Sequence, residues 1–197
     1  MYSGGIRVLG IAGSLRERSL NRSLLAAARE LAPEGMSIDI FDLKDIPLYN
    51  QDLDVDGLRP AAVEGLRKAI HEADALLIAT PEYNHSVPGV LQNAIDWASR
   101  PPRRSSLVGK PVAVMGASPG SIGAARAQEH LRLVLHATLA LVMPHPGVAV
   151  GNAREKFDED GNLVDEPTRR FIVNFLQDLE AWTRRVGASA GALQPVG

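Results

Sequence analysis

"IRVLGIAGSLRERSLNRSLL", residues 6–25, sets three kinds of sequence end to end. The apolar run 6–12, β-branched at Ile6, Val8 and Ile11, reads as a strand buried on both faces. At the other end Leu20, Leu24 and Leu25, followed by Ala28 and Leu31, recur at helical spacing until "APEG" stops the pattern. Between them, where a strand should hand over to a helix, stand hydroxyls, guanidinium groups and an Asn. That junction suggests an anion site. The apolar runs on either side suggest the fold.

The same handover recurs along the chain. Strands are expected at 37–43, 74–80, 110–117 and 137–144, with helices at about 60–72, 88–98, 122–136 and 167–186. The last helix carries Phe171, Ile172, Phe175, Leu176, Leu179, Trp182 and Val186 on one stripe. Strands that are greasy throughout and alternate with helices imply βαβ units around a parallel sheet, in a three-layer doubly wound α/β domain. No internal repeat is present. The segment 151–165 reads as a polar excursion with a turn at "EDGN". Residues 1–186 are expected to form one domain, with 187–197 a flexible tail of small residues.

Composition excludes several classes. With 21 Lys and Arg against 23 Asp and Glu, the net charge of −2 leaves no basic footprint for nucleic acid or an anionic membrane. The absence of Cys removes thiol nucleophiles and Cys-ligated metals. No apolar stretch reaches the ~18 residues of a membrane helix, and no basic leader precedes the first strand. A cytoplasmic location is expected. His71, His130, His136 and His145 show no metal-ligand spacing, and no Gly-x-Ser-x-Gly elbow supplies a hydrolase nucleophile.

In doubly wound sheets ligands bind beyond the carboxyl ends of the strands. The loops after strands one, three and four should therefore carry the function. The first, "GSLRERSLN" (13–21), opens a helix whose unpaired amides and dipole favour a phosphate. Ser14, Ser19 and Asn21 add short polar groups, and Arg16 can fork onto two phosphate oxygens. Arg18 has the weakest claim. The plainer alternative is an N-cap at Ser19 or Asn21 with solvated arginines. The loop is neither a Walker A nor a Rossmann fingerprint, although Asp39 or Asp42 after strand two keeps a dinucleotide reading open. A hydroxyl-rich loop of this kind suits a terminal monophosphate, and so a mononucleotide.

After strand three comes "TPEYNHSVPGVLQNAIDW" (80–97), whose polar and aromatic crowding before the helix suits the edge and face of a planar heterocycle. Trp97 reads as core. After strand four, "GASPGSIGAAR" (116–126) is glycine-rich and permits close approach of backbone to a ligand. Helix 122–136 is apolar on more than one face, which fits either deep burial or an interface between copies.

Together these three segments resemble the NADPH-dependent FMN reductase family, a flavodoxin-like family that includes quinone, chromate and azo-dye reductases. The resemblance spans about residues 6–186. It implies a flavodoxin-like five-stranded parallel sheet in the order 2-1-3-4-5 with helices on both faces, holding FMN non-covalently. It also implies that Ser14, Arg16, Ser19, Leu20 and Asn21 hold the phosphate end, that Pro81, Glu82, Tyr83, Asn84 and His85 border the isoalloxazine, and that Ser118 belongs to the third flavin loop. His85 stands where some relatives have an aromatic residue, and Gly123-Ala124 where a glycine pair is common.

The family's chemistry is a hydride taken from NADPH or NADH by the flavin, then passed to a small-molecule acceptor such as a quinone, free flavin, chromate or an azo compound. The flavin carries that chemistry, so no protein acid, base or nucleophile is nominated. A homodimer or homotetramer is implied, with helices 88–98 and 122–136 at the interface. The alternative is a flavodoxin-like electron carrier with little turnover of its own. Such carriers are usually strongly acidic, which a net charge of −2 does not match. A flavin-free binding domain is a third reading.

Overall fold

The run 6–12 is β1 (Ile6–Ala12), and it lies inside the sheet between β2 (Met36–Phe41) and β3 (Ala75–Ala79). A computed structural model describes residues 4–55, 57–144 and 147–190. β4 (Pro111–Ala117) joins β3, and every pairing is parallel, giving the order β2-β1-β3-β4-β5. This is the expected flavodoxin-like order. Helices α1 (Leu20–Glu30), α2 (Ala61–Glu72), α3 (Gly89–Ala98), α4 (Ala125–Ala137) and α5 (Glu166–Ala190) alternate with the strands.

β3 shows how the three layers are built. All five of its residues are buried. Ala75, Leu77 and Ala79 face a core completed by α1 and α5. Leu76 and Ile78 face a second core completed by α2, α3 and α4. A strand that buries both faces must be apolar at every position, which is why the run lacks alternation. β2 is an edge strand, and its Ser37, Asp39 and Ile40 are exposed.

The fifth strand position differs from expectation. In place of one strand over 137–144, β5 is only Leu141–Val142, and a sixth strand, β6 (Val148–Val150), continues the same side of β4. Residues 137–139 go instead to the end of α4: Thr138 is its C-cap and Leu139 turns the chain in the left-handed region at φ 65°. Pro144 then blocks further pairing of β5. The start of α4 also moves, from 122 to Ala125, because Gly123 and Ala124 both adopt positive φ. Helix α5 runs four residues past the expected end at 186. Its stripe buries Ile172, Phe175, Leu176 and Leu179, while Phe171 is exposed. His145 and residues 191–197 lie outside the described residues.

The excursion after β6 opens with a one-turn 3-10 helix, Ala153–Glu155. It then forms a tight bridge between Phe157 and Leu163, with Gly161 supplying the turn at φ 85°. Both bridge residues are buried beneath α5 and α1, so the excursion is anchored to the core. Asp165 ends it and caps α5, accepting from the Thr168 amide at 2.9 Å.

The Thr168 hydroxyl and amide hold the Asp165 carboxyl below its ordinary value of 3.8. A depressed folded-state pKa gives stability that is fully present above the unfolded value and lost as pH falls through the folded one. Asp165→Ala is therefore expected to lower the melting temperature at pH 7, with the gap to wild type closing below about pH 4. Thermal unfolding followed by circular dichroism at both pH values measures it.

Candidate functional site

The first loop leaves β1 through Gly13, whose amide donates to Ala79 O at 2.8 Å. A Cβ there would lie 3.0 Å from Leu91 Cδ2 and 3.3 Å from Pro81 Cδ, so a larger residue would push against the start of α3 and the second loop. At the far end Ser19 is the N-cap of α1, with extended backbone and its Oγ accepting from the Asn21 amide at 3.3 Å. The plain capping reading of Ser19 therefore holds. It does not exhaust the loop. The main-chain amides of Arg18, Ser19 and Leu20 donate no hydrogen bond among the described residues.

Asn21 works differently from the other loop residues. Its side chain is buried and donates from Nδ2 to Ala117 O at 3.0 Å, while Oδ1 accepts from the Ala117 amide at 2.9 Å. One amide side chain thus fastens the start of α1 to the end of β4 across two parts of the sheet. It sets the loops in place, and its carbonyl is already occupied.

The second loop leaves β3 through Thr80 and Pro81. Tyr83 and Ser86 exchange main-chain hydrogen bonds of 3.2 and 3.0 Å around Asn84 and His85, whose φ values are 51° and 64°. Positive φ at both central residues makes a tight type I′ turn. The Tyr83 amide is therefore engaged inside the turn, and Asn84 and His85 stand at its exposed tip. Glu82 points the other way. Its Oε2 accepts from the Arg126 and Ala127 amides at 3.0 and 3.3 Å, capping α4, which has no side-chain cap of its own. A hydrogen bond of 3.1 Å between Ser86 Oγ and His130 Nδ1 ties the same turn to α4.

The third loop is stitched to the chain beyond β6. Ser118 N donates to Val150 O at 3.0 Å, Ala153 N to Ser118 O at 3.0 Å, and Asn152 N to Gly120 O at 2.9 Å. At Gly116 a Cβ would sit 2.7 Å from Thr80 O, so the second and third loops also meet main chain to main chain.

These loops enclose a cleft of about 250 Å³ at the carboxyl end of the sheet. Ser14, Arg16, Ser19, Leu20, Asn21, Pro81, Glu82, Tyr83 and Ser118 line it, which brings together every residue nominated from sequence except Asn84 and His85. Arg18, Ala117, Pro119 and Arg154 line it as well. Arg154 was not visible in the sequence, because it follows a strand that is not apparent as a separate strand. Arg16, Arg18 and Arg154 make no ion pair among the described residues, whereas Arg22, Arg59, Arg67, Arg126, Arg132 and Arg169 each face a carboxylate. Three unpaired guanidinium groups, free amides and buried hydroxyls fit a phosphate dianion.

A second cleft, of about 310 Å³, opens between α1 and the β2 edge. There Arg22 is already paired with Asp42 at 3.0 Å, and Asp160 adds a further negative charge. Although burial pushes the Asp42 carboxyl up, the Arg22 side chain and the Lys44 amide hold it below its ordinary range. The Asp42 carboxylate is therefore already engaged by Arg22, where the dinucleotide reading needs it as the acceptor of a ribose hydroxyl.

The family model described as NADPH-dependent FMN reductase matches residues 6–155. An NAD(P)H-dependent FMN reductase of Pseudomonas aeruginosa is 50% identical over 93% of this chain and 98% of its own. A 2-hydroxy-1,4-benzoquinone reductase of a Burkholderia species is 42% identical, with 91% and 97% covered. Among solved structures, the flavoenzyme NAD(P)H:(acceptor) oxidoreductase FerB from Paracoccus denitrificans superposes with a TM-score of 0.83 at 39% identity, over 91% of this chain and 98% of that one.

Replacing Asn21 with Ala removes both bonds to Ala117 and leaves a buried amide and carbonyl unpaired. The expected loss is roughly 2–4 kcal/mol of stability, measurable by urea denaturation.

Proposed function

The chain belongs to the NADPH-dependent FMN reductase family, and we propose that its rim cleft binds FMN with the phosphate against the loop 13–21. It is a flavin-dependent NAD(P)H oxidoreductase. The observation that carries the binding mode is the cluster of unpaired guanidinium groups beside the main-chain amides of 18–20 that donate no hydrogen bond among the described residues. Bound FMN supplies the redox chemistry, accepting hydride from NADPH or NADH and yielding electrons to an acceptor.

The protein's part in this reading is to bind and orient. Arg16, Ser14 and Ser19, with the amides leading into α1, neutralise and hold the phosphate. Pro81, Glu82, Tyr83 and Ser118 would border the ring. Asn84 and His85, at the exposed turn tip, meet the incoming nicotinamide or acceptor more readily than they meet the flavin. Glu82 is held by the α4 amides with Arg126 at 3.6 Å, so its charge is partly balanced by its own partners. Small-molecule acceptors such as a quinone, free flavin, chromate or an azo compound match this open edge. A cytoplasmic location goes with the reading, because reduced nicotinamide nucleotides are made there. No helix among the described residues is long and apolar enough to cross a membrane.

A homodimer or homotetramer goes with it too. Leu133 on α4 is 69% exposed and Leu139 beyond it 50%. A groove of about 560 Å³ runs between α3 and the end of α4, lined by Ile95, Val134 and Leu139 with Arg100 and Arg103 at its rim. Exposed leucines on α4 and just beyond it, beside a groove that reaches α3, suit a second copy of the chain.

An anaerobic titration tests the function. FMN added to apoprotein should give a bound-flavin spectrum that NADPH or NADH bleaches and a quinone restores. A protein that takes up no FMN would contradict the proposal. Sedimentation should show a dimer or tetramer, and Leu133→Glu should shift it towards monomer.

A further inference from the structure

We infer that Arg154 is a ligand of the flavin's terminal phosphate, entering the cleft from the chain beyond β6 and selecting phosphorylated over unphosphorylated flavin. The inference rests on the FMN reading above and adds a residue that the loop motif does not contain.

Arg154 reaches the cleft from a part of the chain far removed from the loop, and its backbone is held firmly there. The one-turn helix that carries it is fixed by the bonds of Asn152 and Ala153 to the third loop. Ala153 is fully buried, and a Cβ on Gly151 would collide with Ser121 O, so main chain packs directly on main chain. With its backbone fixed, only the Arg154 side chain remains to be ordered on a ligand.

Electrostatics decides which cation faces the cleft. Lys156, two residues on, is turned towards Asp165 at 3.8 Å and Thr168 at 3.2 Å. Arg154 has no carboxylate among the described residues and lines the same cleft as Arg16 and Arg18. Three like charges around one small cleft repel one another in the free protein, and a dianion relieves that repulsion. A phosphomonoester carries about −1.5 to −2 charges near neutral pH, whereas riboflavin's ribityl chain ends in an uncharged hydroxyl. The third guanidinium therefore favours FMN and does nothing for riboflavin.

The test compares wild type, Arg154→Ala and Arg154→Lys by fluorescence titration of apoprotein with FMN and with riboflavin, at low and moderate salt. The expected result is FMN affinity weakened on the order of tenfold in Arg154→Ala, the lower end for a hydrogen bond to a charged group. Riboflavin affinity should stay within about twofold, and the salt dependence for FMN should become shallower. Arg154→Lys should recover part of the loss through charge without the fork. Unchanged FMN affinity in Arg154→Ala, or an equal loss for FMN and riboflavin, would overturn the assignment. If wild type binds neither flavin, the FMN reading fails by itself. Inorganic phosphate, titrated by calorimetry, then decides Arg154: weaker binding in Arg154→Ala supports it, and equal binding overturns it.

Discussion

The site depends on two hydrogen bonds made by one side chain. Asn21 holds Ala117 by both its amide and its carbonyl, and so joins the beginning of α1 to the end of β4. β1 and β4 are separated in the sheet by β3, and no ladder pairs them directly. Without that clasp, the loop 13–20 and the loop 118–124 would each follow its own strand. With it, the α1 amides and the third loop face each other across a cleft of fixed width. An Asn suits the task because it presents a donor and an acceptor side by side, matching the main chain of a single residue.

The charge arrangement follows from the same geometry. Several arginines elsewhere pair with carboxylates, as at Arg22 with Asp42 and Arg59 with Asp54. The three arginines that line the cleft have no such partner among the described residues. The one carboxylate that lines it, Glu82, caps α4 and lies 3.6 Å from Arg126. The positive end of α1 and three guanidinium groups are left facing a small polar space. Self-repulsion of that kind is unfavourable in the free protein and is offset only when an anion binds. The cleft is poised for its ligand before the ligand arrives.

Much of this could be read from the residues. β1, β3 and β4 are legible because burial on both faces demands unbroken apolar runs, and the loops after them stand out because nothing about a core explains their hydroxyls and arginines. The fifth strand position departs from its sequence pattern for a physical reason. "HATLALVMP" is apolar enough for a strand, yet Thr138 and Leu139 close α4 and only Leu141 and Val142 pair with β4. Asn21 was legible as a site residue but not as a clasp, since its partner is 96 residues away. Arg154 was hidden for a similar reason. Its place at the cleft comes from main-chain bonds between two loops, which leave no periodicity or motif in the sequence.

The most direct measurement is the phosphorus NMR spectrum of FMN in the protein between pH 5 and 8. Free phosphomonoesters take up a proton with a pKa near 6. A phosphate held by guanidinium groups and helix amides should stay dianionic, so the account predicts a single bound resonance that does not move across that range. A resonance that titrates near pH 6, as free FMN does, would contradict it.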